Sequence, residues 1–384
     1  MTKRLFALFL TLTLCCTPAL AVSGIPALGT PAPISAGAVC LMEKETGTVL
    51  YEENAHAKLE PASVTKVMTL LLIMEAIDGG RIKPEDMVAV SANAAGMGGS
   101  QTYLKEGERF SVHDYLKMIA VVSGNDASVT MAEHLAGSES AFVEQMNARA
   151  AALGMADTVF QNCTGLPAAG HLTTAHDIAL MGRELIANHP GIREFSTIWI
   201  DSIRDGAFQL VNTNKLIRFY DGATGLKTGS TDGARYCIAA TAERDGMELI
   251  AVVLKSDSSD RRFETAKALL TFGFANYTVV DVRPGKALPP IDVLLGTEHQ
   301  VQPILARPAR ILVEKTLVDK VENTVSLSQN VEAPVEAGQK LGEMTVTVDG
   351  AVKEKIPIIA GEAVPRLTFF ALFGRFLQGL FMGA

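Results

Sequence analysis

The sequence predicts an α/β fold: an antiparallel sheet carrying helices on its faces, followed by a small all-β domain and a C-terminal amphipathic helix. Three observations predict it. Strand patterns occur near both ends of the first 280 residues, and helical spacing fills the stretch between them. Beyond Arg283-Pro284-Gly285 the composition changes to short alternating segments. Strands at both ends with helices inserted imply one sheet assembled from distant parts of the chain.

The chain opens on Lys3 and Arg4, an apolar run from Leu5 to Cys16, and the small-x-small sequence Ala19-Leu20-Ala21. This order predicts a secretory signal peptide over residues 1–21, because the run is too short to span a bilayer and a cleavage site follows it. Lipid attachment is not indicated, since Leu14 or Cys15, and no small residue, precedes each candidate cysteine. Cleavage leaves Cys40, Cys163 and Cys237, an odd set that implies no disulfide framework. Their wide spacing and the lack of His-Glu-x-x-His give no zinc pattern, so neither metal nor cofactor is expected. The leader carries two basic residues and no acidic one, so the formal charge of −8 becomes −10. With no basic block before the C-terminus, nucleic acid is not an expected partner.

Residues 37–280 are expected to form the first domain. The segment AVCLMEKETGTVLYEEN alternates apolar and polar residues around Thr46-Gly47, the pattern of a β-hairpin. Residues 62–78 are apolar on nearly every face and stop at Gly79-Gly80, which predicts a buried helix. Three- and four-residue apolar spacing predicts helices over 112–122, 126–135 and 140–153. Strands follow over 225–227, 236–243 and 249–255, the last two flanking the tight-turn pair Asp245-Gly246. A helix over 261–277 closes the domain. Segments such as ARILVEKTLV and GEMTVTVDGAVKEKIPI predict a β-rich domain over 281–361. In residues 362–384 a helical wheel at about 100° per residue puts Phe369, Phe370, Phe373, Phe376, Leu377, Leu380 and Phe381 on one side, opposite Thr368, Arg375, Gln378 and Gly379. That predicts an in-plane membrane anchor.

Candidate chemistry lies in three motifs. Ser63 and Lys66 stand three residues apart at the start of the buried helix, so both project on one side. A serine becomes a nucleophile when a base takes its proton, and an amine is that base only when desolvation or a nearby cation holds it neutral. Free N–H groups at the helix start can also bind a developing oxyanion. Ser123-Gly124-Asn125 sits between two helical patterns, where a loop can aim a hydroxyl and an amide into a cleft. Ser91-Ala92-Asn93 has the same spacing without that setting. The bland alternative for the first tripeptide is an interhelical turn with Asp126 as the next N-cap. Lys227-Thr228-Gly229-Ser230 lies where a strand enters a glycine turn; Lys227 offers a positive charge to a carboxylate, and Gly229 lets backbone approach a ligand.

Ser-x-x-Lys, Ser-Gly-Asn and Lys-Thr-Gly in this order are the set shared by β-lactamases and penicillin-binding proteins. With GLPAAGHLTTAHDIALMGRELI, NTNKL and GLKTGSTDG, the sequence from about Gly37 onward resembles the serine-type D-alanyl-D-alanine carboxypeptidases, the low-molecular-mass penicillin-binding proteins. The resemblance implies a penicillin-binding, β-lactamase-like fold with a β-rich stalk and an anchor. It implies Ser63 as acylated nucleophile, Lys66 as general base, Ser123 as proton relay, and Asn125, Lys227, Thr228, Gly229 and Ser230 as substrate-binding residues. The implied partners are peptidoglycan stem peptides ending in D-Ala-D-Ala, β-lactams, and a membrane surface outside the cytoplasm. Ser230 departs from members that carry His there, and Cys163 has no assigned role. A β-lactamase would need a carboxylate for deacylation, but no Asp or Glu occurs between Thr158 and His176. A non-turnover β-lactam sensor would need a signalling segment beyond the leader and the terminal helix.

Overall fold

The computed structural model describes residues 29–31, 34–371 and 373–374. The expected signal peptide and most of the expected anchor helix lie outside the described residues. The description below concerns the unit from Pro31 onward.

Five strands build the main sheet: β1 (Ala38–Glu43), β2 (Val49–Glu53), β3 (Ala223–Thr231), β4 (Arg235–Arg244) and β5 (Met247–Ser256). Their order is β2-β1-β5-β4-β3, and every neighbouring pair is antiparallel. The N-terminal hairpin therefore joins the later strands, as expected. The expected alternation fails on β1, whose 6 residues are all buried. Ala38, Cys40 and Met42 enter one core and Val39 and Leu41 the other, because β1 lies inside a sheet covered on both faces. A strand with no solvent side reads as a continuous apolar run.

One face carries α1 (Lys66–Asp78), α2 (Val112–Val122), α3 (Asn125–Ala136), α4 (Glu139–Ala152) and α5 (Ala175–Asn188); α6 (Ser259–Asn276) covers the other. α1 is the buried helix expected from its apolar run, ending at Gly79. α5 was not anticipated, although the side chain of Thr174 caps it by accepting from Asp177 N–H at 3.0 Å. Its Ile178, Met181 and Leu185 lie in the core.

Beyond α6, Tyr277–Asp281 pairs with Arg310–Glu314, so one strand runs across the expected boundary at 280/281. The remaining strands form a four-stranded sheet and a three-stranded sheet, each with its own apolar core. Ile291–Leu294 and Asn330–Glu332 pair in parallel, the only parallel pair among the named strands of the described residues. Val364 and Arg366 bridge to Val335 and Gly296, so the chain through 366 is bound to this region. Helical turns appear at 369–371 and 373–374.

Candidate active site

The candidate site has a helical wall and a strand wall. On the first, Ser63 occupies a 3₁₀ turn, Ala62–Thr65, that leads directly into α1 at Lys66. Side chains three apart eclipse in a 3₁₀ turn, and Lys66 Nζ lies 3.1 Å from Ser63 Oγ. The turn is held under strain, since Ala62 takes a φ of 49°. Gly165 packs on its carbonyl so closely that a Cβ there would come within 1.9 Å of Ala62 O.

Lys66 is fully buried and has two further neighbours, Asn125 Oδ1 at 2.6 Å and Thr164 O at 2.7 Å. The Asn125 amide cannot be turned round, because its Nδ2 donates to Gly98 O at 2.7 Å. Both neighbours are acceptors only, so each takes an N–H of the amine. A neutral amine has two N–H groups and one lone pair, and the lone pair is then left for Ser63 O–H. Burial pushes the Lys66 pKa down to about 7, against opposing influences of Cys163 and Asp126.

Ser123 ends α2 in the left-handed conformation, with φ 67°. Its Oγ is buried and has no hydrogen-bond partner among the described residues, a rare condition for a hydroxyl. Gly124, not Asp126, is the N-cap of α3. Ser91 of the competing tripeptide is spent as a cap, accepting from Ala94 N–H at 3.0 Å.

The strand wall is the outer strand β3, which places Lys227, Thr228, Gly229 and Ser230 beside the nucleophile's turn. A Cβ on Gly229 would sit 2.8 Å from Ser63 N and 2.9 Å from Val64 N, so only glycine lets the strand lie this close. Thr228 Oγ1 donates to Thr213 Oγ1 at 2.7 Å, and Ser230 is exposed. Lys227 is buried, whereas an ordinary edge-strand lysine would be exposed. Its Nζ donates to Thr228 O at 2.8 Å. Burial first, then Lys66 and Arg262, push its pKa well down. Its positive charge is therefore costly until an anion arrives.

Sequence reasoning missed several contributors. Thr164 acts through its backbone carbonyl, which any residue type supplies. Its turn is set by Asn162 Oδ1, which accepts from Gly165 N–H at 2.7 Å, and by buried His171, which lies 2.8 Å from Thr65 Oγ1. Burial lowers the His171 pKa to about 4; Gln161 N–H donates to its Nδ1, leaving Nε2–H to donate to Thr65. Arg262 on α6 donates to Gly229 O at 3.1 Å and Cys237 O at 3.2 Å, a cation behind β3 that burial lowers only to about 10. Asp126 is buried behind Asn125. Cys40, Cys163 and Cys237 are free and buried. Away from the site, Glu75, Glu184 and His189 bring ligand atoms within 4.8 Å. Arg149 already donates to both carboxylates at 2.6 Å and takes the place of a cation.

A serine beside a buried lysine, set between helices and the edge of an antiparallel sheet, defines a penicillin-binding type of serine enzyme. The chain belongs to the D-alanyl-D-alanine carboxypeptidase family, whose profile matches residues 27–258. A second profile, penicillin-binding protein 5, C-terminal domain, matches residues 282–366. D-alanyl-D-alanine carboxypeptidase DacF of Bacillus subtilis is 40% identical over 87% of this chain and 87% of its own. DacC of Escherichia coli is 34% identical over 88% and 86%. The crystal structure of penicillin binding protein 5 from Haemophilus influenzae superposes with a TM-score of 0.75 at 29% identity, covering 88% of this chain and 100% of that one.

Proposed function

We propose that this protein is a serine D-Ala-D-Ala carboxypeptidase that removes the terminal D-alanine from peptidoglycan stem peptides through an acyl-enzyme at Ser63, and that penicillins acylate the same serine. The observation that carries the reading is the setting of Lys66: its buried Nζ lies 3.1 Å from Ser63 Oγ and also reaches Asn125 Oδ1 and Thr164 O, so that in the neutral amine those two acceptors take both N–H groups and the lone pair is left for Ser63 O–H.

As Ser63 Oγ bonds to the scissile carbonyl carbon, its proton passes to Lys66 Nζ. The carbonyl electron pair becomes an oxyanion beside the N–H groups that open the 3₁₀ turn. When the peptide C–N bond breaks, the proton reaches the leaving amine by way of Ser123, whose unpaired Oγ supports that role. Water then gives a proton to Lys66 as its oxygen bonds to the ester carbon; the bond from that carbon to Ser63 Oγ breaks, and the proton passes from Lys66 to Ser63 Oγ. Lys227 receives the terminal carboxylate, and its ammonium is restored by that anion. Asn125 holds Lys66 and the substrate amide, while Thr228, Gly229 and Ser230 line the strand side. The ampicillin-bound structure of penicillin-binding protein D2 from Listeria monocytogenes, 32% identical over 64% of this chain, supports the penicillin reading.

We also place the protein outside the cytoplasmic membrane, with the leader removed after Ala21. Residues 37–280 act as the catalytic domain and 281–361 as its β-rich companion. The terminal helix lies in the membrane surface. Phe369, Phe370 and Phe373 are exposed by 75%, 84% and 52%, which supports an apolar surface offered to a membrane. Among the described residues no helix is long and apolar enough to cross a membrane.

Mass spectrometry after incubation with penicillin, and separately with a peptide ending in D-Ala-D-Ala, tests the reading. The expected result is a covalent adduct on Ser63 and release of D-alanine. An adduct elsewhere, or none, would overturn it.

A further inference from the structure

The segment from Gly98 to Leu104 forms part of the helical wall without belonging to any helix or strand. Among the described residues its one backbone–backbone hydrogen bond is from Asn125 N–H to Ser100 O at 2.7 Å. It contains Gly98 and Gly99, so its own chain does little to fix it. Yet Gly98 O is the group that orients the Asn125 amide, and through that amide the amine of Lys66.

What holds the segment is a carboxylate next door to Asn125. Asp126 is 1% exposed. Its oxygens accept from Thr102 N–H at 2.9 Å and Leu104 N–H at 3.1 Å, as well as from Ala127 N–H of its own helix at 2.9 Å. Between the two anchored residues Tyr103 takes a φ of 54°, a conformation that turns both N–H groups toward one acceptor. From the other side Arg204 donates to Thr102 O at 2.9 Å and Tyr103 O at 3.1 Å. The turn is therefore clamped between a buried carboxylate and a guanidinium.

We propose that Asp126 is a positioning residue for the acylation step: its carboxylate ties the 98–104 segment to the start of α3, so that Gly98 O holds the Asn125 amide in the orientation that accepts from Lys66. The proposal rests on the acyl-transfer reading of Ser63. The sequential neighbours divide the work, Asn125 touching the base and Asp126 fixing what Asn125 rests on. A charge-assisted acceptor serves two N–H donors better than a neutral amide can, since an asparagine would present an N–H group to one of them.

The test is Asp126→Asn, a nearly isosteric change, assayed with penicillin and the native protein side by side. The acylation step should slow about 100-fold, while the dissociation constant of the preceding non-covalent complex moves less than about threefold. Amide exchange should quicken over 98–104. A merely electrostatic effect is separated by pH. The charged and titratable groups around Lys66 are Asp126 on α3, Cys163 on the turn before Gly165, and Lys227 on β3. Removing the Asp126 charge alone would slide the acid limb of the rate profile to lower pH, whereas loss of positioning lowers the plateau where the amine is already neutral. A folded variant whose plateau stays within about threefold of native overturns the proposal. Should the variant not fold, the native protein decides: Thr102 and Leu104 amides must exchange as slowly as helix amides, and fast exchange at both overturns it. Absence of labelling in the native protein would instead refute the acyl-transfer reading.

Discussion

One lysine stands on each wall of the site, and both are buried where an ammonium is uncomfortable, yet their surroundings give them opposite work. Lys66 meets two acceptor oxygens and the Ser63 hydroxyl, so that in its neutral form both N–H groups are taken and the lone pair is left for that hydroxyl. Among the described residues Lys227 donates only to the carbonyl of its neighbour Thr228, with the cation Arg262 donating to the next carbonyl along the strand. Burial lowers the proton affinity of both, so burial does not distinguish base from anion receptor. The acceptors do. A lysine whose donors are used up can take a proton from a serine; one with donors to spare awaits a carboxylate.

The largest test of this contrast removes the hydroxyl that Lys66 serves. Ser63→Ala should abolish penicillin labelling and peptide hydrolysis while costing at most about 1–2 kcal/mol of stability, since Ser63 caps no helix. Labelling that survives would break the assignment of the helical wall. Next, Lys66→Arg should be nearly as inactive as Lys66→Ala, each losing about 10³-fold or more in acylation, because arginine does not release its proton near neutral pH. Substantial activity in the arginine variant would make Lys66 an electrostatic group and erase the contrast. Lys227→Ala should instead weaken peptides with a free terminal carboxylate by roughly 10–100-fold and leave amidated peptides almost unaffected. Equal loss on both would move the carboxylate site elsewhere. Arg235 is the less suited alternative, being paired with Asp257 at 2.8 Å.

The pH profile sharpens the same point. The Lys66 pKa is lowered to about 7, so the reactive neutral amine predominates above that value and the inert ammonium below it. Acylation by penicillin should fall about tenfold per unit on the acid side and level off on the alkaline side. A profile flat through the acid range would show that Lys66 is not the base. The smallest expected effect is a control remote from both lysines. Arg366 is paired with Glu332 at 3.0 Å, and Leu367 N–H donates to Leu295 O at 2.8 Å, so a truncation belongs after Thr368. The shortened protein should hydrolyse small peptides unchanged, melt like the intact one, and fail to sediment with anionic vesicles. A markedly lower melting point, with the intact protein ignoring vesicles, would refute attachment through the helix.

Much of this was legible in the sequence because it rests on side-chain identity and spacing. The Thr46-Gly47 hairpin, the apolar run of α1 and the Asp245-Gly246 turn each carry a local physical signal, and the three motifs carry the resemblance to the family. What stayed hidden acts at long range or through the backbone. Thr164 contributes a carbonyl that carries no sequence signature. Arg262 looks like any polar residue on an amphipathic helix until the sheet brings it behind Gly229. α5 mixes Gly182 and several polar residues with its apolar positions, which blurs its helical period. The burial of Lys227 follows from packing of β3 against the 3₁₀ turn, which the strand pattern alone does not encode.

The fit between Gly165 and the Ala62 carbonyl has a consequence for how this enzyme tolerates change. A single methyl group there would overlap the carbonyl, whatever its polarity, and the φ of +82° disfavours any side chain as well. The turn that delivers Thr164 O would have to withdraw, taking with it one of the two acceptors that keep the Lys66 lone pair free. Replacement at position 165 is thus expected to imitate loss of the base itself, although glycine brings no reactive atom to the reaction. In a survey of inactivating substitutions the position would stand beside Ser63 and Lys66, and inheritance would guard an empty space as strictly as a nucleophile.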